Sequence, residues 1–210
     1  MLRLVWTDCD AADLRALPPM SAYRREKEQK YRIESARRAG LCAEWLLIRT
    51  LELEQTAPTL PLSIDCKPNG KPSLTDERYY FNLSHSGAFA ACALADFPLG
   101  IDIQEIRPCA ARVARRFFSE TEQTALAETD DPTALFTRLW CRKESFLKAV
   151  GLGLRADLSA LNVSGGAPLV SHEGQSYAFR ETRIGDLCFC LCARAEYLPD
   201  TLQPERLTLP

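Results

Sequence analysis

Residues 98–108 read PLGIDIQEIRP. Apolar and polar residues alternate through Ile101, Asp102, Ile103 and Gln104, which is the period of a half-buried strand. Asp102 and Gln104 share one face of that strand, a carboxylate followed by an amide. The stretch sits near the middle of the chain, and elements of both kinds lie on either side of it. On the N-terminal side, YYFNLSHS and AFAACALA alternate in the same way. Ser86-Gly87 turns the chain between them, so the two runs predict a hairpin. Further out, Leu2 to Trp6 predicts a short strand, followed by polar linking sequence around Pro18-Pro19. Residues 21–53 carry a helical pattern broken once. Its first part, AYRREKEQKYRIESARR, is basic; its second, AGLCAEWLLIRTLEL, is apolar and predicts a buried helix. Residues 57–78 are loop-rich with short strands, and Asn69-Gly70 is a turn signal.

On the C-terminal side, ARVARRFF predicts a helix, and Ser119 and Glu122 have the spacing of a capping box. Asp131-Pro132 opens another helix, with Asp as N-cap and Pro in the first helical position. That helix runs through TALFTRLWCRKESFLKAV and stops at Gly151. Residues 152–210 predict mostly strand and turn and end in a Pro-rich tail. The expected class is α+β. The expected division is an N-terminal half, 1–98, and a C-terminal half, 99–210, of comparable element content.

The chain has 210 residues, 46% of them hydrophobic and 26% charged, which suits an ordinary globular protein with a real core. A formal net charge of −2 argues against a general nucleic-acid binder. MLRLVWTDCDAADL carries acids early and has no long apolar run, so it reads as neither signal peptide nor membrane anchor. Nine scattered cysteines without CxxC pairs favour free thiols in a reducing cytoplasm. Cys188, Cys190 and Cys192 in LCFCLCARA share one strand face and read as small buried packing residues.

Four stretches look unlike plain scaffold. In GIDIQ, Asp102 offers a ligand. In WCRKESFLK, Trp140, Glu144, Leu147 and Lys148 share a helix side, with Lys143 adjacent. The apolar members put Glu144 and Lys148 beside a buried seam. A plain Glu-to-Lys surface pair at i,i+4 is the alternative reading. In FNLSHSG, Asn82, Ser84 and Ser86 alternate with Leu83 and His85; no GxSxG elbow accompanies the Ser and His. In GKP, Lys71 offers a cation on a loop. Together, Asp102 and Glu144 on different elements make a hard oxygen site suited to Mg²⁺. Lys71, His85, Lys143 and Lys148 would surround it. Lys30, Arg32, Arg37 and Arg38 on the basic helix add charge for outer phosphates.

The ordered set GKP (70–72), FNLSHS (81–86), GIDI (100–103), FFSxTE (117–122) and WxxKESFLKxxGxGL (140–154) resembles the 4′-phosphopantetheinyl transferases. The likeness is to the monomeric, two-half, surfactin-synthetase-activating class. It implies two similar α+β halves related by a pseudo-twofold axis, with the active site in the cleft between them. It implies transfer of the phosphopantetheine arm of coenzyme A to a serine of an acyl or peptidyl carrier protein, with release of adenosine 3′,5′-bisphosphate. By the same resemblance, Asp102 and Glu144 hold Mg²⁺, or Mn²⁺ in its place. Gln104 stands where many members carry an acid; its amide ligates through oxygen or holds a metal-bound water, without charge. Lys71, Ser84, His85, Arg38, Lys30 and Arg32 are the implied coenzyme A contacts. Lys143 and Lys148 face the diphosphate. Glu144, Glu122 or a metal-bound water takes the serine proton, although the capping box also explains Glu122. Arg112, Arg115 and Arg116 beside Phe117 offer a basic face to an acidic carrier protein. The competing expectations are a non-catalytic coenzyme A binder, disabled at Gln104, and a metal-dependent phosphodiesterase, which the acidic composition disfavours.

Overall fold

A computed structural model describes residues 1–108, 110–153, 157–165 and 169–210; Cys109 and Leu154, the last residue of the WxxKESFLKxxGxGL motif, lie outside them. The first half contains β1 (Leu2–Asp8), α1 (Ala22–Glu28), α2 (Glu34–Leu53), β2 (Ile64–Cys66), β3 (Pro72–Leu74), β4 (Tyr80–Ser86) and β5 (Phe89–Ala95). The second contains β6 (Leu99–Glu105), α3 (Ala111–Phe117), α4 (Glu120–Glu128), α5 (Pro132–Val150), β7 (Val170–His172), β8 (Gln175–Ile184), β9 (Leu187–Arg194) and β10 (Glu205–Arg206). The broken helical pattern is α1 and α2, separated at Gln29–Ile33. Ser21 caps α1 by accepting from the Arg24 amide. The capping box at Ser119 and Glu122 starts α4. Asp131 accepts from the Ala134 amide ahead of Pro132, and Gly151 ends α5 in the left-handed region.

Two helix-on-sheet units result. The four-stranded sheet β10-β1-β5-β4 carries α2, and the four-stranded sheet β6-β9-β8-β7 carries α5. Alternation along the strands decides which side chains meet which layer. In β5, Ala90, Cys92 and Leu94 pack under α2, whereas Ala91, Ala93 and Ala95 face the other sheet. In β9, Cys188, Cys190 and Cys192 pack under α5, whereas Leu187, Phe189, Leu191 and Ala193 face the first sheet. The cysteine triplet is therefore core packing. The two sheets meet through Leu4, Trp6, Ile101, Ile103, Phe189 and Leu191, and the layers run helix, sheet, sheet, helix. Burial of this apolar seam joins the halves. The second half is not closed on itself: β10 returns to pair in parallel with β1, Val5 opposite Glu205.

Two local features bring the halves together where the motifs lie. At Gly100, a Cβ would stand 2.1 Å from the Ser145 carbonyl oxygen and 2.3 Å from the Ala149 nitrogen. Glycine here lets the backbone of β6 touch the backbone of α5. Asn69 packs on Gly151, and the Lys71 ammonium donates to the carbonyls of Leu99 (2.9 Å) and Ala149 (3.1 Å). The GKP loop of the first half thereby holds the C-terminus of α5, where a cation also meets the negative end of the helix dipole.

Candidate functional site

Asp102 is the centre of the site. It lies on β6 with its backbone paired to Cys190 of β9, and it is 2% exposed. Its Oδ1 accepts from Lys148 Nζ at 2.6 Å and from Ser84 Oγ at 2.7 Å. Its Oδ2 accepts from Gln104 Nε2 at 3.0 Å. A buried carboxylate persists because three donors, one of them charged, replace its water. Lys148 also donates to Ser84 Oγ and to the Ile101 carbonyl. The close contact of α5 with β6 at Gly100 sets this geometry.

Glu144 lies one turn before Lys148 on α5 and is half-buried. Burial raises its pKa first, and the charge of Asp102 raises it further; Lys148 opposes both. The two carboxylates predicted to converge thus repel one another across the same space. Glu144 and Lys148 line a cleft of ≈ 240 Å³ together with Tyr23, Lys27, Lys71 and Asn82. His85 is held below its ordinary pKa by burial and then by Lys148 and Arg24, so the cations of this region crowd one another. Its Nε2 lies 3.4 Å from Tyr31 Oη, which in turn accepts from Arg24. Arg24 is 4% exposed, and its Nε has no hydrogen-bond partner. Burial, and the nearby charge of Lys67, lower the Lys71 ammonium to about 8.

The donor chemistry fits a hard divalent cation. Asp102 and Glu144 supply carboxylate oxygens, and their mutual repulsion is what such a cation relieves. Among the described residues, no three His, Cys, Asp or Glu side chains converge on one point. Gln104, two residues on from Asp102, brings an amide to the same strand face. Its Oε1 accepts from Ser86 Oγ at 3.3 Å, and its nitrogen is the atom turned toward Asp102.

Several expected site residues lie elsewhere. Lys143 and Glu122 were expected at the reacting groups, but both are fully buried and pair at 2.9 Å. Lys143 also donates to the Leu158 and Leu161 carbonyls, and Glu122 accepts from the Val163 amide at 2.8 Å. The pair braces residues 158–163 against α5, and all three ammonium donors are consumed. Lys30 is 69% exposed and paired with Glu26 on the outer face of α1. Arg32 is exposed in the α1–α2 break. Arg38 Nη2 donates to the carbonyls of Cys9, Asp10 and Ala12, tying α2 to the loop after β1. The cation of α1 that lines the cleft is Lys27; Arg24 is buried behind it, its Nε 3.6 Å from Glu44 Oε2. The i,i+4 spacing of Tyr23 and Lys27 was the available signal for Lys27. On α3, Arg112, Arg115 and Arg116 are exposed, and Arg116 stacks on Phe117 with 5.0 Å to the ring centroid. Phe117 lines a separate groove of ≈ 490 Å³ with Val113, Phe136 and Trp140, which reaches Gln104 and Glu144.

The sequence is similar to those of known proteins. A family model described as the 4′-phosphopantetheinyl transferase superfamily matches residues 98–192. The 4′-phosphopantetheinyl transferase Sfp of Bacillus subtilis (strain 168) is 34% identical over 148 residues, covering 69% of this chain and 66% of that protein. A second 4′-phosphopantetheinyl transferase of Bacillus subtilis is 36% identical over 155 residues, covering 71% and 68%. The 4′-phosphopantetheinyl transferase psf-1 of Bacillus pumilus is 33% identical over 162 residues, covering 76% and 67%. The chain spans about two thirds of the length of these relatives. On this similarity, with the seam of Asp102, Lys148 and Glu144 lying inside the matched segment, the chain belongs to the 4′-phosphopantetheinyl transferase superfamily.

Proposed function

We propose that this enzyme transfers the phosphopantetheine arm of coenzyme A to a serine of an acyl or peptidyl carrier protein and releases adenosine 3′,5′-bisphosphate. The observation that carries the proposal is that Glu144 and Lys148 line one cleft at the seam between the halves, with Lys148 paired to the buried Asp102 carboxylate at 2.6 Å behind it. Asp102 and Glu144 would hold Mg²⁺, or Mn²⁺ in its place. When bound, that ion supplies positive charge to a diphosphate at the reacting centre.

The chain's own groups do the rest. Lys27, on the wall of the cleft, draws the phosphates of coenzyme A into it, and His85, held below its ordinary pKa, offers them a hydrogen bond rather than charge. Lys148 stabilises the charge that develops on the departing bisphosphate. Glu144 takes the proton from the carrier serine as its oxygen bonds to phosphorus and the bond to the bisphosphate breaks. The exposed arginines of α3, beside the apolar groove of Val113, Phe117 and Trp140, suit an acidic carrier protein with an apolar helix patch. The eight cysteines among the described residues are free thiols, which suits a reducing compartment such as the cytoplasm.

Incubation of an apo carrier protein with coenzyme A, Mg²⁺ and the enzyme should add one phosphopantetheine arm by intact mass. Asp102→Ala should lose about a hundredfold or more of the rate at saturating Mg²⁺. Full transfer by that variant sinks the proposal. Reversing charge at Arg112 and Arg116 to Glu should raise the KM for carrier protein about tenfold and leave the KM for coenzyme A unchanged.

A further inference from the structure

Strand β6 is the edge of its sheet, and its outward N–H groups at Ile101, Ile103 and Glu105 have no strand partner. An open row of this kind is usually covered or charged. Here it is covered by side chains of the other sheet's edge strand, β4. Ile101 N donates to Asn82 Oδ1 at 2.9 Å, Ile103 N to Ser84 Oγ at 3.2 Å, and Glu105 N to Ser86 Oγ at 3.1 Å. Asn82, Ser84 and Ser86 stand on one face of β4, and each meets the residue nineteen positions later. The result is a three-rung ladder of side chain to backbone, with β4 and β6 running parallel.

The same oxygens reach the site. Ser84 Oγ donates to Asp102 Oδ1, and Ser86 Oγ donates to Gln104 Oε1, which turns the amide nitrogen onto Asp102 Oδ2. Ser84 has no hydroxyl proton left for coenzyme A, because Asp102 takes it. The ladder therefore reaches past the joint it makes. Its rungs alternate with the two site side chains, Asp102 and Gln104, and fix both the backbone and the head groups.

We infer that Asn82, Ser84 and Ser86 form a positioning ladder by which the first half of the molecule aims the Asp102 carboxylate and the Gln104 amide of the second half at the cation site. The inference rests on the function proposed above. Ser86 is the informative member, since among the described residues its hydroxyl bonds the Gln104 amide oxygen and the Glu105 N–H and not Asp102.

The test measures Mn²⁺ binding to the full chain by electron paramagnetic resonance, with coenzyme A present and no carrier protein. Ser86→Ala and Asn82→Ala should each weaken Mn²⁺ binding about tenfold, as loss of a group orienting a metal ligand does. Ser86→Thr keeps the hydroxyl and should bind as the wild type does. Thermal unfolding is followed in parallel. A Ser86→Ala protein whose unfolding temperature drops while its Mn²⁺ binding matches the wild type overturns the inference, because the ladder is then only a joint. A wild type that transfers phosphopantetheine but shows no Mn²⁺ binding overturns the inference and leaves the transferase reading standing. A wild type that does neither overturns both.

Discussion

Gln104 brings an amide to a place beside two carboxylates, and charge is what a hard cation site uses to set affinity. In the proposed cation site, Asp102 and Glu144 alone would bring less negative charge than a three-acid set, and Lys148 offsets part of it at 2.6 Å from Asp102. Gln104→Glu adds the missing charge. It should lower the Mg²⁺ concentration for half-maximal transfer about tenfold, read by titrating Mg²⁺ in the carrier assay. An unchanged titration would show that residue 104 does not sense the cation. Lys143 and Glu122 teach the opposite lesson at this scale. Each has the right chemistry for catalysis, yet each is paired inside the protein, and burial with full hydrogen bonding makes them structural.

At the scale of elements, the site depends on how closely α5 lies on β6. A Cβ at position 100 would enter the backbone of α5 at Ser145 and Ala149, so Gly100→Ala must push helix and strand apart. The expected cost is about 3 kcal/mol, which lowers the unfolding temperature by about 6–12 °C in a chain of this size. Transfer activity should fall more than stability explains, because Lys148 and Glu144 move with the helix. A variant with wild-type unfolding temperature would contradict the contact.

At the scale of the whole molecule, Lys71 spans the halves by holding carbonyls of β6 and α5 from a loop of the first half. Burial lowers its pKa from the ordinary 10.5 to about 8. Between those values the unfolded chain binds a proton that the folded chain does not. Stability contributed by this group therefore rises with pH from about 8 to 10.5, and below that window the buried charge is a constant cost. In Lys71→Met this rise should vanish, seen as a smaller increase of unfolding temperature with pH than in the wild type across that window. Equal pH dependence in both proteins would place the Lys71 charge in solvent.

The amino-acid sequence by itself determined the elements, because their signals are local. Period-two alternation placed β4, β5 and β6. The Ser119–Glu122 box, Asp131-Pro132 and Gly151 placed the ends of α4 and α5. Its motifs also singled out Asp102, Glu144 and Lys148. Which cations reach the cleft was decided only by tertiary structure, because helix phase and packing select among neighbours of like chemistry. Lys27 lines the cleft while Lys30 pairs with Glu26, and Lys148 meets Asp102 while Lys143 turns to Glu122. The return of β10 to β1 and the ladder from β4 to β6 join residues far apart in the chain, and no local pattern encodes such pairings.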